Sequence, residues 1–120
     1  MMTKIKFCQN ILKNQKEFFD SKKTINPKIR IESLKKLKKT IIRYEDEIVN
    51  ALKMDLGKSY AEAYMSEIAI IYNELNFFIK NIKKWTNRKR VSSSLLNFLS
   101  SDYIVPCPYG VTLNISPWNL

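Results

Sequence analysis

Tyr109-Gly-Val-Thr-Leu-Asn-Ile-Ser-Pro-Trp-Asn119-Leu120 is the stretch that decides the fold. Gly110 permits a turn, Val111 to Ser116 is predicted as a strand, and Pro117 closes it because the ring fixes φ and removes a backbone donor. Pro117-Trp118-Asn119 then sets an amide side chain just beyond the strand's carboxyl end, where open α/β sheets bind ligands. A further strand is predicted over Tyr103 to Val105, ahead of Pro106-Cys-Pro-Tyr-Gly110. Upstream, as far as Trp85, the pattern is mainly helical. The expected fold class is therefore α/β: a mostly helical amino-terminal part, residues 1–102, followed by the first strands of a sheet, residues 103–120, which lead into a cleft and are cut short. Thr112 and Asn114 share one face of the last strand, a departure from the continuous apolar run of a strand buried on both faces.

The helices announce themselves by spacing. Ile5, Cys8, Ile11, Leu12, Phe18 and Phe19 recur at three- and four-residue intervals, which predicts an amphipathic helix over 4–20 with Thr3 as N-cap. Asn26-Pro27 predicts a second start, with proline at the first helical position where its missing N–H costs nothing. The stripe behind it is Ile31, Leu34, Leu37, Ile41, Ile48 and Leu52, with a kink near Tyr44 and a new helix opening at Glu45-Asp-Glu47. Gly57 is the expected helix stop, and Ser59-Tyr-Ala-Glu62 reads as a capping box. Tyr64, Ile68, Ile71, Leu75, Phe78, Ile82 and Trp85 then alternate by four and three, the cleanest amphipathic stripe in the chain. Residues 86–102, with Arg88-Lys-Arg90, Ser92-Ser-Ser94 and Ser100-Ser-Asp102, read as a linker.

Composition excludes several classes. At 120 residues the chain is one domain or less, and a compact chain of that length buries roughly 65% of its unfolded surface. An apolar share of 45%, with six Phe, six Tyr and two Trp, is globular rather than disordered. No apolar run approaches the roughly 18 to 20 residues of a membrane span, and residues 1–15 lack the core of a signal peptide, so the cytoplasm is the expected compartment. Cys8 and Cys107 have no metal or redox spacing and are read as reduced thiols. Histidine is absent, which removes Ser-His and Cys-His catalysis and every His-containing metal site; no metal is expected. A general base would be a carboxylate, a lysine or a tyrosine. The net charge of +10 comes from 21 basic residues, all but four of them lysine, in a chain also rich in Asn and Ile. That bias fits an AT-rich coding sequence as well as it fits anion binding.

The segment Pro106-Cys-Pro-Tyr-Gly-Val111 through Ser116-Pro-Trp-Asn119 resembles the aldehyde dehydrogenase superfamily. Leu52-Lys-Met-Asp-Leu-Gly-Lys58 and Glu62-Ala-Tyr-Met-Ser-Glu67 resemble its shorter, class 3-like branch, and the resemblance runs from Ile31 onward. It implies the start of a Rossmann-type cofactor domain, incomplete here, using NAD or NADP to oxidise an aldehyde to a carboxylic acid. Cysteine attack, hydride transfer and thioester hydrolysis by a glutamate base are the implied steps. By the same resemblance Asn119 is the oxyanion donor, Ile115, Ser116, Pro117 and Trp118 line the cofactor cleft, and Tyr64 faces the substrate tunnel. The full-length family member is expected to be a homodimer, with no nucleic acid and no membrane as partner. Cys107 stands where the family often has an acidic residue and is not its nucleophile; Leu120 replaces the usual aromatic residue. Nucleophile and base fall downstream of these residues, so the 120-residue polypeptide is expected to be inactive by itself.

Each of these residues also has a purely structural reading. Asn119 could cap a following helix, Ile115 to Trp118 could be strand-end packing, and Tyr64 could belong to the core stripe. Glu62 and Glu67 read as a capping residue and a solvated face rather than an acid/base pair. Lys35-Lys36, Lys38-Lys39 and Arg88-Lys-Arg90 read as solvated charge, since no Gly-rich loop or aromatic platform accompanies them. The alternative function is a small basic helical module for nucleic acid or an anionic membrane surface, and a third is a remnant without activity.

Overall fold

A computed structural model describes residues 2–95 and 99–116, with side chains from residue 4. The elements are α1 (Met2–Asp20), a short 3-10 turn (Lys23–Ile25), α2 (Pro27–Arg43), α3 (Glu45–Leu56), α4 (Tyr60–Ala63), a π-helical turn (Tyr64–Ile68), α5 (Ala69–Thr86), β1 (Lys89–Val91) and β2 (Asp102–Ile104). They fall into two compact units, Met1–Asn26 with Arg88–Leu120, and Pro27–Asn87. The helical front and the strands after it are the architecture that the sequence predicts.

The Pro27–Asn87 unit follows its start and stop signals closely. Pro27 opens α2, and Tyr44 separates it from α3. Glu45, Asp46 and Glu47 fill the first turn of α3, where negative charge complements the unpaired N–H groups and the helix dipole. Gly57 ends α3 in the left-handed conformation, φ 69°, with its N–H donating to the Lys53 carbonyl. Ser59 caps α4 by accepting from the Glu62 N–H at 3.3 Å.

From Tyr60 to Thr86 the chain is one continuous helix interrupted by the π-helical turn, in which the Ala69 N–H reaches the Tyr64 carbonyl five residues back. That wide turn has a packing consequence. In a regular α-helix, residues five apart lie about 140° apart around the axis, yet Ala63 and Ile68 are both fully buried in one cluster with Val49. The extra residue in the turn brings Ile68 back onto the Ala63 side, where Ile48, Leu52 and Tyr72 close the cluster.

Beyond that cluster α5 packs on α2. Leu75 and Ile82 are buried, and Ile31, Leu34 and Ile41 are half-buried. Leu37, expected on this stripe, is instead 49% exposed. The half-buried position beside it belongs to Lys38, whose Nζ donates to Asn76 Oδ1 at 2.7 Å and sits 5.8 Å from the centre of the Tyr72 ring. A lysine can occupy that place because its stem is apolar and its ammonium reaches a polar partner.

In the other unit α1 is already helical from Met2, so Thr3 lies inside the helix rather than at its cap. The stretch from 86 to 102, expected to be a linker, carries β1, antiparallel to β2 with Lys89 opposite Ile104, Arg90 opposite Tyr103 and Val91 opposite Asp102. Arg88 stacks over the Tyr103 ring at 4.6 Å. Basic and serine-rich text hid a strand whose side chains are all exposed and therefore carry no apolar alternation.

The strand expected over Tyr103 to Val105 is present one residue earlier. The strand expected over Val111–Ser116 is not formed: among the described residues that stretch joins no ladder, and Leu113 and Ile115 are exposed. A strand exists through its neighbour's hydrogen bonds, and among the described residues no strand pairs with this one. Gly110 has φ 100° and lies against the Phe19 ring, so its glycine is required by the backbone rather than by space.

Candidate functional site

Tyr64 is the predicted pocket residue whose surroundings are described in most detail. It opens the π-helical turn and is 36% exposed, so it borders the core rather than joining it. Its ring stacks on Tyr60, nearly parallel at 6° with centroids 6.4 Å apart. One turn's spacing along a helix places such a pair on the same face.

Tyr60 is fixed in turn by Glu45. The Tyr60 hydroxyl donates to Glu45 Oε1 at 3.1 Å and the Tyr72 hydroxyl donates to Oε2 at 2.7 Å, so one carboxylate holds two phenols from different parts of the long helix. The hydrogen bond to Glu45, reinforced by its charge, pushes the Tyr60 phenol above its ordinary value. Burial first, then the same carboxylate, push Tyr72 up to about 12. Both phenols stay protonated and serve as donors, because a phenolate beside Glu45 would face a like charge.

Lys58 secures the turn from its other side. Its Nζ meets Glu67 Oε1 at 2.6 Å and Ser66 Oγ at 3.3 Å, while Ser66 Oγ donates to the Glu62 carbonyl at 2.7 Å. Glu67 is thus an ion-pair partner and Glu62 the N3 residue of the Ser59 cap. Tyr64 is left with an aromatic face to offer, while the carboxylates beside it are engaged, Glu45 by two phenols and Glu67 by Lys58.

Ile115 and Ser116, the predicted cofactor-cleft residues, are exposed in the other unit, Ile115 at 78%. Pro117, Trp118 and Asn119 lie outside the described residues. Tyr64 and the Ile115–Ser116 pair therefore belong to separate units, and each is placed within its own. Among the described residues no group of three His, Cys, Asp or Glu is gathered to hold a metal. The Glu45 link to Tyr60 and Tyr72 was not foreseen from sequence. Partners 15 and 27 residues away follow no helical or strand period, so spacing carries no signal for them.

The helical unit and the strands after it define the opening of an aldehyde dehydrogenase fold. The model of the aldehyde dehydrogenase family matches residues 5–120, so the chain belongs to that family. It is 42% identical over 106 residues to the 4,4'-diaponeurosporen-aldehyde dehydrogenase of Staphylococcus aureus, covering 88% of this chain and 23% of that protein. Aldehyde dehydrogenase family 3 member B3 of Mus musculus is 39% identical over 108 residues, 90% of this chain and 22% of its own length. A solved structure described as the substrate-bound state of Staphylococcus aureus AldH superposes with a TM-score of 0.78 at 38% identity, over 82% of this chain and 21% of that one. The chain spans about a quarter of the length of these relatives and matches their amino-terminal part. The alternative of a nucleic-acid module receives no support from them. No helix among the described residues is long and apolar enough to cross a membrane.

Proposed function

We propose that this chain is the amino-terminal part of an NAD(P)-dependent aldehyde dehydrogenase that oxidises an aldehyde to a carboxylic acid in the cytoplasm, as a homodimer when full-length. The observation that carries this reading is the family match over residues 5–120, which includes the Ser116-Pro-Trp-Asn119 motif. The name of the Staphylococcus aureus relative, a diaponeurosporen-aldehyde dehydrogenase, supports an extended apolar aldehyde as substrate class.

In this reading Asn119 donates its side-chain N–H to the aldehyde oxygen. When a thiolate supplied from outside these residues attacks the carbonyl carbon, the π electrons move onto oxygen, and a donor already aimed there lowers the barrier. A bound nicotinamide cofactor would supply the hydride acceptor, and Ile115 to Trp118 are the residues of this chain that would lie against it. Ile115, Ser116, Pro117 and Trp118 offer an apolar wall and one hydroxyl, chemistry that fits a flat nicotinamide ring with a polar carboxamide edge. Tyr64 presents its exposed ring to the apolar part of the aldehyde, held at its angle by Tyr60 and Glu45.

The test is a chimera in which this chain replaces the matching first quarter of the Staphylococcus aureus relative. NAD(P)-dependent aldehyde oxidation is expected, and Asn119→Ala is expected to lower kcat by roughly 100- to 1,000-fold. A chimera that folds and binds NAD(P) without oxidising any aldehyde would sink the reading.

A further inference from the structure

The β1–β2 hairpin gathers two guanidinium groups on one side. Arg90 lies directly opposite Tyr103 in the ladder, and residues directly opposite each other in an antiparallel pair project to the same face. Arg88, two residues before Arg90, and Ser101, two before Tyr103, fall on that face by alternation. The side chains agree: the Arg88 guanidinium carbon stands 4.6 Å from the centre of the Tyr103 ring, and Arg90 Nη2 donates to Ser101 Oγ at 3.4 Å. Arg88-Lys-Arg90 reads from sequence as solvated charge for want of an aromatic platform, and the partner strand supplies one. Asp102, the one carboxylate between residues 88 and 104, pairs with Val91 on the other face and accepts from Ser100 Oγ at 3.1 Å. Beside Arg90 lies an open hollow of about 510 Å³, lined also by Ser92, Ser93 and Ser100.

Among the described residues no carboxylate forms an ion pair with Arg88 or Arg90. An aromatic ring attracts a cation without using its N–H groups, so Arg88 keeps its planar fork of donors for an anion. Arg90 uses one donor on Ser101, whose own hydroxyl proton remains to be given to a further acceptor. Two forks and a hydroxyl on one face suit a phosphate group, whose oxygens accept several charge-assisted hydrogen bonds at once, better than they suit the two oxygens of a carboxylate. We propose that the hairpin face bearing Arg88, Arg90 and Ser101 binds a phosphate monoester, with the two guanidinium groups as its charge partners and Ser101 as a neutral donor. Tyr103 is the positioning residue of this site, since its ring holds Arg88 on the face. The assignment is separate from the enzymatic reading, which gives no residue of the hairpin a part in the reaction.

The test titrates the full 120-residue chain, and its chimera with the Staphylococcus aureus relative, with phenyl phosphate and with phosphatidate vesicles at constant ionic strength. Saturable binding is expected in chain and chimera alike, and whichever ligand binds, soluble ester or vesicle, gives the source of the phosphate. The double variant Arg88→Gln, Arg90→Gln is expected to bind at least about tenfold more weakly, because it removes both sets of charge-assisted hydrogen bonds. Lys89→Gln removes one positive charge from the other face, and at fixed salt it is expected to change binding by less than about twofold. Circular dichroism of these variants is expected to match the wild type, because all three side chains are exposed. Three results would overturn the site: no saturation with either ligand, an equal loss in Lys89→Gln and in the double variant, or binding by the chain that disappears in the chimera. The second would reduce the effect to net charge, and the third would mean that the rest of the subunit covers this face.

Discussion

Glu45, the first residue of α3, and Tyr72, on the second turn of α5, are joined by a 2.7 Å hydrogen bond that ties the two helices across 27 residues of sequence. The phenol donates and the carboxylate accepts, and this sets a pH dependence. Tyr72 has its pKa raised from 10.0 to about 12 in the folded chain by burial and by Glu45. Between those values the unfolded chain has released a proton that the folded chain retains, so raising the pH favours unfolding. The contribution is complete below pH 10 and is lost as the pH climbs toward 12. Urea denaturation at pH 9, 10.5 and 11.5 should show stability falling across that window. Glu45→Gln should flatten the fall and shift the ultraviolet tyrosinate titration toward lower pH. An unchanged titration in that variant would contradict the assigned bond.

The sequence made the helices legible because their ends rest on local chemistry. Pro27, Gly57 and Ser59 act within a few residues of themselves, and each sits where its reading placed it. What stayed hidden was tertiary. The π-helical turn goes with Ala63 and Ile68 sharing one packed cluster, Lys38 takes the half-buried place beside Leu37 with Asn76 as its partner, and β1 is specified by its partner rather than by its own apolar pattern. The site was legible only as resemblance. Ser116-Pro-Trp-Asn119 was read by its resemblance to the aldehyde dehydrogenase family, but the Glu45 tether behind Tyr64 has no periodic trace.

Gly57 offers a clean measurement of a backbone effect. Its φ is 69°, and nothing lies within 4 Å of where a Cβ would stand. Gly57→Ala therefore introduces no clash, and its cost is that of holding an L-residue in the left-handed region, about 1 to 2 kcal/mol. Asparagine tolerates that region better, so Gly57→Asn should lose less. Chemical denaturation of the three proteins should rank glycine above asparagine above alanine. Equal stability of alanine and glycine would mean that α3 ends differently in solution.

Ile68 and Ile71 are three residues apart on one helix and should respond unequally to truncation. Ile68 is 1% exposed, wedged with Val49 and Ala63, and the π-helical turn exists to bring it there. Ile68→Ala removes buried methyl groups and leaves a cavity in the small Val49 cluster, for which a loss of about 2 to 5 kcal/mol is expected. With so few fully buried side chains described in the unit, that loss is enough to broaden or abolish cooperative unfolding. Ile71 is 43% exposed and has less burial to lose, and Ile71→Ala should cost about 1 kcal/mol or less. Thermal unfolding of the two variants should separate the buried position from the part-exposed one. If Ile71→Ala proved as costly as Ile68→Ala, Ile71 would be packed in solution as closely as Ile68.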